Sequence, residues 1–231
     1  MRAVRGLGEL LVTAGLVVLL FLVYQLYWTN YEANRAADKV TGDIRQAWSQ
    51  PPGTGASGSG TSGPGTSAPT AYTNGVGFAF LHIPRLGRTW VKPIVQGVTL
   101  PDLARGVGHY PGTAAPGAVG NFAVAGHRAT NGEPFAYLDK VRVGDAVVAE
   151  TRTQWFTYVV DSTKIVTPDS VWVLDPVPGK PTAKPTDELM TLTTCNPRWA
   201  SYERLIVFGH LTATRPRSQG PPPVLAARSG A

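Results

Sequence analysis

Cys195 is the only cysteine in this 231-residue chain. It closes the run Glu188-Leu189-Met190-Thr191-Leu192-Thr193-Thr194-Cys195, whose threonines and aliphatics suit a half-buried strand. Asn196-Pro197 ends that run, because proline has no N–H for a ladder and holds the residue before it extended. Arg204 opens a second strand-like run to Phe208. A thiol therefore sits at a strand end facing a loop, with an arginine at the start of the next strand. To act as a nucleophile the thiol must ionise. At an unperturbed pKa of about 8.5 it is only ~3% thiolate at pH 7, so it needs a base or a cation beside it.

Four histidines could serve. His82 lies inside a strand run and His210 at the end of the last one. His109 lies in the turn-rich Gly108-His109-Tyr110-Pro111-Gly112. His127 follows a strand and a glycine in Asn121-Phe122-Ala123-Val124-Ala125-Gly126-His127-Arg128, at a strand's mouth where loops carry function on a rigid scaffold. Spacing favours His127 without deciding among the four. It also leaves open that Cys195 is a small apolar residue packed in a core.

The elements that would position these residues lie between about residues 76 and 214. Short apolar runs recur there between turn signals: 78–83, 93–95, 121–125, 146–150, 155–161, 164–166, 189–194 and 204–211. Their length suits strands and is too short for helices. About eight strands with few helices predict a mainly β domain, a sandwich or a barrel. Thr99 to Gly106 reads as one short helix, and 134–141 and 168–171 as candidates for others.

Outside that domain the chain changes character. Leu10 to Trp28 carries no charge and is long enough to span a bilayer. Tyr24, Tyr27, Trp28 and Tyr31 follow where a cleaved signal peptide would place small residues, and they match an interfacial aromatic belt. The segment 10–28 is therefore expected to be a transmembrane anchor, with the bilayer as a partner. Arg2 and Arg5 favour a cytoplasmic N-terminus (1–9) and an extracellular remainder. Residues 29–49 read as a polar, helix-compatible stalk. Residues 50–75 hold no charge and are rich in Gly, Ser, Thr, Ala and Pro, as a flexible linker would be. The tail 215–231 is expected to be disordered and offers no second apolar span.

Composition removes several functions. A single cysteine excludes an internal disulfide. No Cys/His pair has zinc-ligand spacing and no carboxylate cluster suits calcium, so no metal or other cofactor is expected. The net charge of +6 is diffuse and has no aromatic-interleaved basic stripe, so nucleic acid is not an expected partner.

Thr191-Leu192-Thr193-Thr194-Cys195 followed by Arg204 resembles the sortase signature, a TLxTC strand with an arginine on the next strand. Gly108-His109-Tyr110-Pro111-Gly112-Thr113, Gly120 to Arg128, Pro134-Phe135 and Leu138-Asp139 are similar to the class E sortases of Gram-positive actinobacteria. The resemblance covers about residues 76–212. It implies an eight-stranded closed antiparallel β-barrel. It implies Cys195 as nucleophile, His127 as general acid/base and Arg204 as transition-state stabiliser. Tyr110 matches a tyrosine tied to a preference for LAxTG-type signals, Thr194 matches a position that lines the substrate groove, and with Thr193 these are the implied substrate-binding residues. The implied reaction cleaves a C-terminal sorting signal between Thr and Gly. It passes through a thioacyl intermediate and transfers the protein to an amine of a peptidoglycan precursor. Surface proteins bearing such signals and that amine are the implied partners.

Three other readings fit parts of the sequence. An L,D-transpeptidase normally places its cysteine in a Ser-His-Gly-Cys-type run, whereas Thr194 precedes Cys195 here. A pilin-polymerising sortase often carries a lid before the barrel and a C-terminal span. A non-enzymatic tethered β-domain would use Cys195 as a packing residue only.

Overall fold

The computed structural model describes residues 2–50 and 72–226. The segment expected to be a linker lies largely outside them, at 51–71, as does the last part of the tail. The chain begins with helix α1 (Arg2–Val23), passes through a π-helical segment at Tyr24–Trp28 and continues as helix α2 (Thr29–Ser49). All three segments are helical without a break. The apolar stretch Val4–Val23 of α1 is exposed throughout. At 1.5 Å per residue its 20 residues match the ~30 Å hydrocarbon core of a bilayer.

Eight strands follow: β1 (Gly77–His82), β2 (Val91–Gln96), β3 (Val107–His109), β4 (Gly120–Ala125), β5 (Ala146–Glu150), β6 (Gln154–Val166), β7 (Glu188–Asn196) and β8 (Glu203–Pro216). They close into a barrel in the order β1-β2-β3-β4-β7-β8-β6-β5. The core is filled by alternating residues of each strand, among them Leu81, Ile94, Phe122, Val124, Leu192 and Val207. Chain alternation therefore sends the neighbours of Leu192, namely Thr191 and Thr193, to the outer face.

The mainly β, eight-stranded barrel matches the expectation, with one correction. The sheet is not purely antiparallel, because β2–β3 and β4–β7 are parallel. Each parallel pair needs a crossover. The first crossover carries helix α3 (Leu100–Leu103), capped at its N-terminus by Thr99 and Asp102, which bond each other's backbone N–H. The second carries β5 and β6.

The eight apolar runs are also not the eight strands. The runs 155–161 and 164–166 are one strand, β6, and a register slip between Val160 and Ser162 interrupts its apolar pattern. The glycine-rich run around His109 contains β3. Gly108 is there because β2's outgoing chain presses on it: a Cβ would lie 2.4 Å from the Gly97 carbonyl oxygen. The same glycine reads as a turn in sequence. The candidate helices at 134–141 and 168–171 are 3₁₀ turns at Leu138–Lys140 and Val171–Leu174. The ordered domain also extends beyond 214, since β8 runs to Pro216 and Arg217–Gln219 forms a further turn.

Helix α2 does not stand free of the barrel. Ala33, Ala37, Val40, Ile44 and Trp48 recur at helical spacing. Val40 and Ile44 are buried against Phe80 of β1 and Val95 of β2, and Trp48 meets Phe80 edge-on at 5.3 Å. Gly77 allows this approach: a Cβ there would lie 2.4 Å from Val40 Cγ1. At the helix's start, Asn30 Oδ1 accepts a hydrogen bond from Gly132 N at 2.9 Å. At its end, Arg217 lies over the Trp48 ring and Arg152 donates to the Gln50 carbonyl. The helix thus runs the length of the barrel.

Candidate active site

The predicted residues lie on or just past three neighbouring strands. β7 lies between β4 and β8 in the barrel. Cys195 on β7 is directly opposite Arg204 on β8. In the parallel β4–β7 ladder, Ala125 is level with Thr193, and Gly126 N still donates to the Thr193 carbonyl at 3.1 Å. The chain then leaves β4 and reaches His127, whose carbonyl accepts from Phe135 N at 3.0 Å. Cys195 and Arg204 thus face each other across β7 and β8, and His127 lies two residues past the end of the adjoining β4.

The other histidines are used elsewhere. His82 pairs with Glu150 at 3.1 Å, and exposed His210 pairs with Asp161 at 2.7 Å. Buried His109 has its ring nitrogens 2.7 Å from Gln96 Oε1 and 2.9 Å from the Ala114 carbonyl. His127 differs: its Nε2 is buried and makes no hydrogen bond to the described residues. Burial pushes its imidazole below the usual histidine range. Arg204 spends Nη1 on the carbonyls of Ser201 (2.7 Å) and Glu203 (2.9 Å), which fixes the guanidinium at the mouth of the β7–β8 loop.

The remaining predicted residues lie beside these. Tyr110, just past β3, has its hydroxyl 3.0 Å from Thr193 Oγ1. Thr194 is only 3% exposed, and its hydroxyl donates to the Gly126 carbonyl at 2.7 Å. It thus ties β7 to the residue before His127. Among the described residues no cluster of three His, Cys, Asp or Glu side chains is arranged to hold a metal ion.

A sortase domain matches residues 81–212. The chain belongs to the sortase family. It is 42% identical to sortase SrtE1 of Streptomyces coelicolor over 96% of its length, and spans 61% of that relative. Sortase E from Streptomyces avermitilis matches 67% of the chain and 99% of its own at 48% identity, with a TM-score of 0.62. A structure of the S. coelicolor sortase E1 with a tripeptide in its active site matches 68% of the chain and all of its own at 44% identity, with a TM-score of 0.61.

One residue of the candidate site was not singled out by its sequence. Arg128 is 6% exposed. Its Nη1 donates to Asn196 Oδ1 at 2.5 Å and to the Cys195 carbonyl at 3.3 Å, and its Nη2 pairs with Asp139 at 3.0 Å. Asn196 in turn donates to Glu203 Oε2 at 2.7 Å. Arg128, Asn196 and Glu203 therefore make a hydrogen-bonded row across the same three chain segments, each next in sequence to His127, Cys195 or Arg204. The signal in the sequence was the Arg directly after His127, but nothing in a sequence marks a guanidinium as buried.

Proposed function

We propose that this chain is a membrane-anchored cysteine transpeptidase acting on C-terminal sorting signals of the LAxTG type. The observation that supports this reading is the pairing of Cys195 with Arg204 across β7 and β8, with His127 two residues past the end of the adjoining β4. The Cys195 thiolate attacks the threonine carbonyl and forms an S–C bond. The carbonyl oxygen takes the negative charge, and Arg204 donates to it where fixed charge is worth most. As the C–N bond to glycine breaks, protonated His127 gives its Nε2 proton to the departing amine. The unpartnered Nε2 supports that role, since it is not committed to another group. An amine of a peptidoglycan precursor then attacks the thioester, His127 takes back a proton, and the thiolate leaves.

Tyr110 and Thr193 form the wall of the peptide groove in this reading, and Thr194 holds the β4 end in place beneath it. The tripeptide in the S. coelicolor enzyme's active site supports a peptide ligand for the corresponding cleft. The exposed apolar α1 supports a single-pass anchor, with Arg2 and Arg5 inside and the barrel outside. The test incubates the full chain in detergent micelles with a LAETG-containing peptide and an amino-glycine acceptor. Transfer of the acceptor is expected, with complete loss in Cys195→Ala. Transfer that survives that substitution would remove Cys195 as nucleophile.

A further inference from the structure

The active-site end of the barrel carries an exposed aromatic patch that the chemistry does not use. Trp199 and Tyr202, in the β7–β8 loop, are 68% and 67% exposed. Arg198 lies between rings, 4.8 Å from Tyr137 and 5.0 Å from Trp199, and pairs with Glu133 at 2.6 Å. Surface tryptophan and tyrosine around an arginine is the composition of a lipid headgroup interface.

The helix gives this patch its height. Gly132, next to Glu133, is held by Asn30. Asn30 is two residues, or ~3 Å of helix rise, past Trp28. The aromatic belt Tyr24 to Tyr31 covers ~10 Å of the same helix, starting where the apolar stretch ends at Val23. The chain of contacts Asn30, Gly132, Glu133, Arg198 therefore places Tyr137 and Trp199 beside the belt. The direction also agrees at the other end. The C-terminal end of α2 meets Arg152 and Arg217, which lie at the β5–β6 turn and past the end of β8. The ends of β4 and β7 that carry His127 and Cys195 thus point toward α1.

We infer that Tyr137, Arg198, Trp199 and Tyr202 dock on the headgroup layer of the bilayer and hold the active-site mouth against the membrane. This rests on the reading of α1 as a membrane anchor. The patch is continuous with the helix that enters the lipid, and a lipid surface is the partner its rings and guanidinium fit.

The test uses the full chain with Cys195→Ala, so that an introduced cysteine is unique. Trp199→Cys, Tyr202→Cys and, at the opposite end, Ser218→Cys are each labelled with an environment-sensitive fluorophore. The protein is reconstituted in phosphatidylcholine/phosphatidylglycerol vesicles containing a headgroup nitroxide lipid. Quenching at 199 and 202 is expected to exceed that at 218 several-fold. A chain that floats with the vesicles but shows equal quenching at all three sites overturns this inference alone. A chain that does not float overturns the anchor as well. In the active enzyme, Trp199→Ala is expected to slow processing of a vesicle-inserted substrate while leaving a soluble peptide's rate unchanged. An equal loss on the soluble peptide assigns Trp199 to peptide binding and overturns the lipid contact.

Discussion

The imidazole of His127 works against its own burial. A buried histidine resists protonation, because the charged form loses water that the site does not replace. The proposed reaction nevertheless needs the imidazolium together with the thiolate. With its imidazole held below the usual histidine range, the protonated fraction at neutral pH is smaller than the ~24% of a free histidine. The sign follows: kcat/KM should be bell-shaped in pH, with its acid limb centred below ~6.5. A profile rising steadily to high pH without a falling limb would remove His127 as the acid. Arg128 makes a separate demand. Its buried guanidinium braces the Cys195 carbonyl and Asn196, so Arg128→Ala leaves two acceptors without a donor. Denaturant melts should show a loss of about 1–3 kcal/mol. Arg128→Lys, which keeps the charge but not the fork, should recover part of the stability while kcat stays low. Full recovery of both by lysine would show that only charge is needed.

At the scale of elements, what the sequence displayed depended on how many neighbouring residues shared one environment. β7 was legible because its nine residues are rich in threonines and aliphatics and a proline follows them. His127 stood out as a histidine following a strand and a glycine. β3 did not, since three residues give no period and its glycine serves close packing. The docking face of α2 was equally hidden: five positions make the stripe, while the charges between them dominate composition. That face is nonetheless specific. Ile44 is 2% exposed, and Ile44→Ala should weaken the docking by about 3 kcal/mol. Hydrogen exchange should then accelerate across residues 36–48 while the strands of the barrel keep their protection. Unchanged exchange in α2 would mean that the contact with Phe80 and Val95 contributes little. The buried Arg128 belongs to the same class of hidden feature, because its partners come from two other parts of the chain, Asp139 and the Cys195-Asn196 pair.

For the whole molecule, the uninterrupted helix from α1 into α2 has a consequence for which proteins can be processed. In the membrane-anchored reading proposed above, a barrel clamped along a rod that enters the lipid cannot rise or tilt freely, so Cys195 would work at one altitude above the bilayer. A sorting signal still embedded by an apolar tail is itself tethered at the lipid surface. Cleavage then requires that the spacer between its Thr–Gly bond and its apolar segment match that altitude, each added residue contributing up to ~3.5 Å of extended chain. In vesicles, a series of substrates with lengthening spacers should show a rate optimum that disappears when Ile44→Ala loosens the rod. A rate indifferent to spacer length in the intact enzyme would refute it. In that reading the helix would act as a ruler, selecting substrates by distance before the groove reads their sequence.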